Sequence, residues 1–389
     1  MDDRELSNRP FWTLVAIRAA FWLGTALTLL WAPYPGVPPF RAWNGHTDLL
    51  FSTFAQWDSV WYLRIAERGY ESEQSAAFFP LYPLAARAVG WVFGSALVGG
   101  VLVSLVAAGV AAVLLARLAR PLLGVDGARD SVLYLALYPF AFVFTAVYAE
   151  GLFLALAVGA FLAGVQRRPL LAAGLGAAAV LTRPLGIALL PALVVLLWSR
   201  KRWLPVLLAL PAALGAFALY LDSRLGDPGA FLNAQGAHWG RRTPTLGPLG
   251  GLWEAISAGY HGAAELLLHL PRGGNGFAGY AENDVLATRN VLHLLLLAAA
   301  IALTVVAWRR LGPAFGLYSA GVLVIVLNSP AERFPLVSLP RHLLADFPLL
   351  LALAAVTRER PQGRLAVLCG FAAVGAVAAV AFSRQIWTA

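Results

Sequence analysis

One acidic residue, Asp58, lies in an aromatic-rich stretch with the makings of acid–base chemistry at a membrane surface. Between Asp48 and Tyr70, apolar residues recur at the spacing of an amphipathic helix lying at the membrane interface: Leu50, Phe54, Trp57, Trp61 and Ile65. A partly desolvated carboxylate there is suited to act as a general base. Aspartate is also a favoured N-cap, so capping of a helix from Ser59 to Arg68, ended by Gly69, accounts for Asp58 without catalysis. From spacing alone both interpretations stay open.

Several other kinds of chemistry are excluded by what the sequence lacks. The single cysteine, Cys369, leaves no disulfide framework, thiolate zinc site or CxxC pair. The only lysine, Lys201, follows Arg200 and not glycine, so the chain has no ATP-binding P-loop. His261 and His269 do not share a helical face, and the absence of an Asp-x-Asp pair disfavours a metal-dependent nucleotide-sugar transferase. We therefore expect no obligatory metal and no cofactor.

Composition indicates that these residues are held by membrane-spanning helices. Of 389 residues, 60% are hydrophobic and only 13% charged, with a mean hydropathy of +0.71, which predicts an all-α polytopic membrane protein. About eleven spans are predicted: 11–32, 95–116, 131–148, 150–165, 170–182, 185–198, 203–221, 290–307, 313–328, 342–356 and 365–382.

The basic residues give these spans an orientation. With the N-terminus in the cytoplasm, the cytoplasmic side carries 16 basic and 6 acidic residues, and the outer side carries 13 basic and 14 acidic residues. The net charge of +9 thus follows the positive-inside rule and gives no support to nucleic-acid binding. All six histidines fall on the outer side, which is where we expect the chemistry.

The chain is predicted to be one integral membrane domain, 1–389, with two long outer loops. Loop 33–94 contains Asp58, and loop 222–289 is rich in glycine and proline. Within the second loop, residues 252–270 place apolar side chains at helical spacing: Trp253, Ile256, Tyr260, Ala264 and Leu267. This pattern favours either core packing against the spans or an interfacial helix that covers a lipid substrate.

The first loop resembles the signature of the PIG-V mannosyltransferases, multi-span enzymes of the GT-C glycosyltransferase superfamily that act in GPI-anchor biosynthesis. The matching elements follow in order along the chain: Trp57-Asp58, Trp61-Tyr62, Ile65-Ala66, Gly69-Tyr70 and Phe78-Phe79-Pro80-Leu81-Tyr82-Pro83. Downstream elements are similar to the family in part: Tyr138-Pro139 with Tyr148-Ala149-Glu150-Gly151-Leu152-Phe153, Arg183 with Gly186, and Pro340-Arg341-His342 with Phe347-Pro348. Ala149, Gly151 and His342 depart from the family pattern, and loop 222–289 matches no element of it.

The resemblance implies a GT-C fold and a sugar donor linked to a polyprenyl or dolichyl phosphate. In such enzymes an acid of the first outer loop is typically the catalytic base, which here is Asp58. The expected reaction is an inverting transfer of a hexose, with mannose first, to an acceptor outside the cytoplasm. The aromatic residues of the first loop are then expected to bind substrate or support the site: Trp57, Trp61, Tyr62 and Tyr82.

A leaving phosphate needs cations near it, and a guanidinium binds phosphate in bidentate fashion. Arg341 is the first candidate, Arg183 the second, and His342 a further donor, although the arginines also suit ordinary interfacial anchors. Glu150, at a tight outer turn, is expected either to form an ion pair with an arginine of the outer loop or to bind an acceptor hydroxyl.

Two other functions stay open: a transporter or flippase of a lipid-linked sugar, or a non-catalytic assembly subunit with the same fold. The expected partners are the polyprenyl-phosphate sugar and a lipid, glycan or protein acceptor. The arginine-, alanine- and leucine-rich composition indicates a bacterial plasma membrane, with the active site on the non-cytoplasmic side.

Overall fold

The protein is helical throughout the part of the chain that the computed structural model describes, residues 5–31, 55–268, 284–332, 334–384 and 386. The α-helices are α1 Glu5–Trp31, α2 Asp58–Arg68, α3 Leu81–Phe93, α4 Ala96–Leu137, α5 Glu150–Val165, α6 Pro169–Thr182, α7 Leu189–Leu197, α8 Ala209–Leu225, α9 Ala230–Trp239, α10 Pro248–Leu268, α11 Asp284–Val306, α12 Pro313–Leu327, α13 Leu339–Ala345, α14 Phe347–Thr357 and α15 Pro361–Ser383. Short 3-10 turns join several of them, and within these ranges no β-strand forms.

The predicted polytopic character is confirmed by five helical segments that are long and apolar enough to cross a bilayer. They are Asn8–Thr28, Ala96–Leu137, Pro184–Leu225, Val285–Leu311 and Pro361–Ser383. α13 and α14 form a sixth candidate, bent by 80° at Asp346, and α5, α6 and α12 are shorter apolar helices. The figure of eleven spans and the cytoplasmic N-terminus stay predictions.

Two predicted spans fall on the two parts of α4, which a break in the helix separates. α4 runs through 95–116 and on past 131, and it is broken by a kink at Gly124, which has φ 72° and ψ −172°. Glycine adopts this left-handed φ without the steric cost that a Cβ would bring. α4 ends at Leu137, so the predicted span 131–148 is only partly an α-helix and continues as the 3-10 turn Ala141–Thr145.

In the described part of the first loop, α2 covers only the later half of the stretch that the periodicity predicts to be helical. Of the predicted stretch, 48–54 lies outside the described residues, and α2 starts only at Asp58, with Trp57 as the N-cap residue. The capping interpretation therefore misplaces Asp58 by one residue, whereas Gly69 does end the helix, with φ 80°. An acid in the first helical turn also interacts favourably with the helix dipole.

In the second loop, α10 turns the predicted apolar face outward. Trp253, Ile256, Tyr260 and Leu267 are exposed, so core packing by these side chains is wrong. The opposite face is built from small residues and lies against α11 and α12; a Cβ on Gly262 would come within 2.7 Å of the Ala287 carbonyl oxygen. Small residues at a helix interface let backbones approach closely, and this contact decides which face is buried.

Replacing Gly251 by Ala is expected to lower the free energy of unfolding by about 1–3 kcal/mol, as overpacking typically does. The new Cβ would overlap the carbonyl oxygen of Leu327, which is backbone and cannot rotate away. Gly215→Ala is the matched control, since a Cβ there meets no atom within 4 Å. The two variants are compared by denaturant unfolding in detergent. Equal stability of both variants would contradict the close approach of α10 to α12.

Candidate active site

A cavity of about 1460 Å³ opens between α2, α9, the start of the 3-10 turn Pro184–Ala188, the end of α12, and α13. Several charged side chains of the lining lie close together, among them Asp58, Arg183 and Arg341. Apolar side chains of α9 and α12 cover another part, including Leu232, Val324 and Ile325. The cavity therefore suits a ligand with one ionic end and one hydrocarbon end.

Asp58 and Glu150 are joined by a single arginine. The Nη1 of Arg341 donates to Oδ2 of Asp58 at 2.6 Å. Its Nε lies 2.9 Å from Oε1 of Glu150, outside hydrogen-bond alignment, so that contact is an ion pair only. Arg183 donates through Nη1 to the same Glu150 oxygen. We call these four residues the ion cluster.

The ion cluster is withdrawn from solvent and electrically balanced. The side chains of Glu150 and Arg183 are 2% and 8% exposed, and those of Asp58 and Arg341 are 13% and 12% exposed. Removing one member of such a group leaves an uncompensated buried charge, which costs far more than a surface ion pair contributes. The cluster thus fixes the mutual positions of α2, α5, α13 and the end of α6.

Glu150 is held in place by hydrogen bonds below the cavity. Ser104 on α4 donates to the carbonyl oxygen of Tyr148 at 2.9 Å, and its hydroxyl lies 2.7 Å from that of Tyr82. The single proton of the Tyr82 hydroxyl is donated either to Ser104 or to the carbonyl oxygen of Gly100, which lies 3.0 Å away. These bonds anchor the segment that leads into α5, where Glu150 is the first residue.

Arg341 is positioned by the bend between α13 and α14. Asp346 stands at the bend, and its Oδ1 accepts a 2.6 Å hydrogen bond from the hydroxyl of Ser319. Tyr138 donates to the carbonyl oxygen of Pro340 at 2.9 Å, next to the arginine. The guanidinium carbon of Arg341 lies 5.3 Å from the centre of the Tyr148 ring, a cation–π contact that further restricts it.

Two residues beside the ion cluster have strained backbones. Trp57, which precedes Asp58, has φ 56°, and Ser338, three residues before Arg341, has φ 66°. Both line the cavity. Such conformations cost about 1–3 kcal/mol in residues other than glycine and concentrate at functional sites.

Aromatic rings form a wall of the same cavity. Trp61 stacks on Phe78 with ring centres 6.0 Å apart, and Trp239 meets both rings edge-on at 6.1 and 5.6 Å. Tyr62 lies beside Phe78, and burial, followed by the charge of Glu150, raises the pKa of its hydroxyl. Tyr62 therefore offers the cavity a neutral hydroxyl.

The structure brings most of the predicted site residues to one cavity. Its lining includes Asp58, Arg341, Arg183, His342, Trp57, Trp61 and Tyr62. Glu150 lies behind the lining and forms an ion pair, as one of its two predicted roles requires, with Arg183 and Arg341, which belong to neither of the two long outer loops. Tyr82 is fully buried away from the cavity, in keeping with a structural role. His342 donates from Nδ1 to the carbonyl of Ser338 at 2.7 Å.

Among the lining residues that the sequence reasoning missed are Trp239 and Arg241. Both belong to the loop 222–289, which carries no recognisable motif around them. The signal available was a run of aromatic and basic residues, His-Trp-Gly-Arg-Arg, within a Gly- and Pro-rich segment. Within the described ranges no three His, Cys, Asp or Glu side chains are grouped as a metal site would require.

Comparison with known proteins now bears on this geometry. Residues 28–190 match the family model of the PIG-V mannosyltransferases. The match includes Asp58, Glu150 and Arg183 and ends before Arg241 and Arg341. The resemblance seen in the sequence is thereby confirmed over the first part of the chain, where most of the PIG-V motifs lie. No curated protein sequence matches the chain.

Solved structures with a similar fold come from GT-C glycosyltransferases, and the predicted GT-C fold is confirmed. ArnT from Cupriavidus metallidurans in the apo state has a TM-score of 0.50 at 16% identity, over 92% of this chain and 61% of that chain. The structure of ArnT from Cupriavidus metallidurans bound to undecaprenyl phosphate has a TM-score of 0.50 at 16% identity, over 94% of this chain and 63% of that chain. The archaeal oligosaccharyltransferase AglB from Archaeoglobus fulgidus, in complex with an inhibitory peptide and a dolichol-phosphate, has a TM-score of 0.46 at 12% identity, over 96% of this chain and 56% of that chain. The chain thus spans about three fifths of the length of ArnT.

Proposed function

We propose that the protein is a membrane glycosyltransferase that moves a hexose, with mannose as the first candidate, from a polyprenyl-phosphate donor to an acceptor hydroxyl. The observation that carries this proposal is the ion cluster at a cavity with an apolar wall, since one end suits a phosphosugar and the other a polyprenyl chain. The PIG-V match over 28–190 supports transfer of mannose. The undecaprenyl phosphate bound by ArnT supports the class of donor.

In the proposed reaction Asp58 is the general base. Its carboxylate takes the proton of the acceptor hydroxyl, whose oxygen forms a bond to the anomeric carbon of the sugar. The bond from that carbon to the phosphate oxygen breaks, and the electron pair leaves with the polyprenyl phosphate. Attack opposite the leaving group inverts the anomeric configuration. The ion pair with Arg341 holds the Asp58 carboxylate in place at the cavity.

The leaving phosphate gains negative charge as the bond breaks, and the cations that line the cavity are available to stabilise it. Arg341 and Arg183 are the proposed phosphate ligands, with His342 as a further hydrogen-bond partner. Trp57, Trp61 and Tyr62 are proposed to contact substrate, while Glu150 orients both arginines. The donor is a co-substrate, so we propose a reaction without cofactor or obligatory metal.

The proposed location is a bacterial plasma membrane, with the cavity on the non-cytoplasmic side. The positive-inside distribution of arginine supports that orientation. A lipid, glycan or protein with a free hydroxyl is the proposed acceptor class.

The test is transfer of radiolabelled mannose by the purified protein in vesicles made from bacterial membrane lipids. We expect label to pass from polyprenyl-phosphate mannose into a lipid or protein fraction, and no transfer from GDP-mannose alone. If the wild-type protein transfers sugar neither from polyprenyl-phosphate mannose nor from polyprenyl-phosphate glucose, the proposal is overturned. Movement of the intact labelled donor across the vesicle membrane, without transfer, would identify a flippase instead.

A further inference from the structure

The charges of the ion cluster leave an incoming phosphate without a dedicated cation. Asp58 and Glu150 neutralise Arg341 and Arg183, so the four groups together carry no net charge. A phosphate bound beside them would lie near two carboxylates, and each arginine would have to divide its donors between the ligand and its present partner. A site that binds a phosphate well therefore needs a further positive charge.

Arg241 supplies such a charge on the lining of the same cavity. Its guanidinium donates to two backbone carbonyls, that of Ser329 at 2.9 Å through Nη1 and that of Val337 at 3.5 Å through Nη2. Carbonyl oxygens orient the side chain without cancelling its charge. Among the described residues, Arg241 forms no ion pair with a carboxylate.

The backbone around Arg241 is tied to the segment that leads to Arg341. Arg241 pairs with Ala331 in an isolated antiparallel bridge. The amide of Arg242 donates to the carbonyl of Pro330 at 3.0 Å, and the amide of Glu332 donates to that of Gly240 at 3.2 Å. These bonds hold Arg241 at a fixed place beside α13, as a preorganised binding site requires.

The neighbouring arginine, Arg242, differs from Arg241 because it already has a carboxylate partner. Arg242 also lies beside the cavity, but its Nη2 is 3.1 Å from Oε2 of Glu254, and its side chain is 49% exposed. Its charge is therefore already compensated and largely solvated. Arg241 is half-buried, and burial together with the positive charges of Arg341 and Arg183 lowers its pKa to about 10, against the opposing effect of Asp58. An anion beside Arg241 would relieve this unfavourable environment.

The surroundings of Arg241 indicate what kind of anion fits. Leu232 of α9 and Val324 of α12 line the same cavity and are 65% and 49% exposed. An inorganic ion would leave these apolar side chains uncovered, whereas a polyprenyl chain would bury them. The ligand chemistry is therefore that of a phosphate joined to a long hydrocarbon.

We infer that Arg241 is the residue by which the protein distinguishes a polyprenyl phosphate from uncharged polyprenyl lipids, so that the second outer loop supplies the decisive phosphate ligand. This inference rests on the proposed donor class but not on the transfer step. Arg241 then binds the phosphate of the resting donor, whereas Arg341 and Arg183 keep their carboxylate partners until the phosphate gains negative charge as it leaves.

The test compares binding of two lipids, undecaprenyl phosphate and undecaprenol, to the full-length protein in nanodiscs, by quenching of intrinsic tryptophan fluorescence. Wild type should prefer the phosphate by tenfold or more, as a charge-assisted contact gives about 10- to 100-fold. Arg241→Gln should lower this ratio about tenfold, and Arg241→Lys, which keeps the charge but loses the fork, should lower it less. Arg224→Gln, an exposed arginine at the end of α8, should keep the wild-type ratio.

The preference for undecaprenyl phosphate over undecaprenol is a ratio within one variant, so a reduced yield of folded protein does not alter it. If Arg241→Gln does not fold, the ratio of Arg241→Lys tests the inference. An unchanged ratio in the Arg241 variants, or no preference in wild type, would overturn the inference. Inorganic phosphate that displaces undecaprenyl phosphate at equal concentration would overturn the assignment to a lipid. A wild type that discriminates through Arg241 yet transfers no sugar would sink the transferase proposal alone. Transfer with an Arg241-independent ratio would sink only this inference.

Discussion

Replacing Asp58 by Asn is expected to reduce sugar transfer by about 100-fold or more, the range typical for loss of a general base. Asparagine keeps the size of the side chain and its ability to accept hydrogen bonds near a helix start, but it cannot take a proton at neutral pH. In the wild type, Nη1 of Arg341 donates to Oδ2 of Asp58 at 2.6 Å. In the variant, the amide oxygen of the asparagine can accept this hydrogen bond instead. The measurement is the initial rate of mannose transfer from polyprenyl-phosphate mannose.

A matched control separates this effect from a general loss of charge. Asp222→Asn removes an exposed carboxylate on α8 and should leave the rate unchanged. The unfolding midpoint of Asp58→Asn in detergent reports any structural damage independently of the rate. Transfer at the wild-type rate by a folded Asp58→Asn variant would exclude Asp58 as the base, and Glu150 would then be the next carboxylate to replace.

The second large effect concerns stability, at the buried pair of Glu150 and Arg183. Glu150→Gln and Arg183→Gln should each lower the free energy of unfolding by about 3–5 kcal/mol, because each leaves an uncompensated charge inside the protein. Both side chains are less than one tenth exposed, so solvent screens the pair little. The double variant removes both charges and should lose clearly less than the sum of the single losses.

The difference between the double variant and that sum measures the coupling of the pair. Denaturant unfolding in one detergent gives all four stabilities of the cycle. Glu73→Gln is the control, since the Glu73 side chain is 73% exposed and lies 3.8 Å from His238 at the surface. It should change stability by less than about 1 kcal/mol. Additive losses at Glu150 and Arg183 would show that the two charges do not stabilise one another.

Local features of the chain are predictable from sequence because neighbouring residues decide them. The apolar run 150–165 coincides with α5, and its flanking charged and polar residues mark both ends. Gly69 ends α2 because glycine adopts the positive φ that closes a helix there. The position of Asp58 near a helix start and the outer-loop motifs belong to the same class of short-range information. They were sufficient to indicate a PIG-V-like chain, a GT-C fold and an acid at its site.

The partners of those residues depend on how distant helices pack. Arg341 lies 283 positions from Asp58 in sequence, so no local pattern indicates that one guanidinium bridges Asp58 and Glu150. For the same reason the sequence does not indicate which arginine pairs with Glu150, and only the packing of α6 and α13 beside it brings Arg183 and Arg341 there. The buried face of α10 is set by backbone contact at Gly251 and Gly262, and its large apolar residues face outward. Hydrophobic spacing gives the period of a helix but not the direction of its neighbours.

The sequence by itself determined the kind of protein this is, because its composition requires a membrane. Its arginines predict an orientation, and its first-loop motifs predict Asp58 as the base. Only the tertiary structure decided the charge balance of the site, because that balance depends on which buried groups come within about 4 Å of one another. Arg241 is the clearest case. Nothing in its own segment distinguishes it from Arg242, and the difference arises from Ser329, Val337 and Glu254, which folding brings to the two side chains from other parts of the chain.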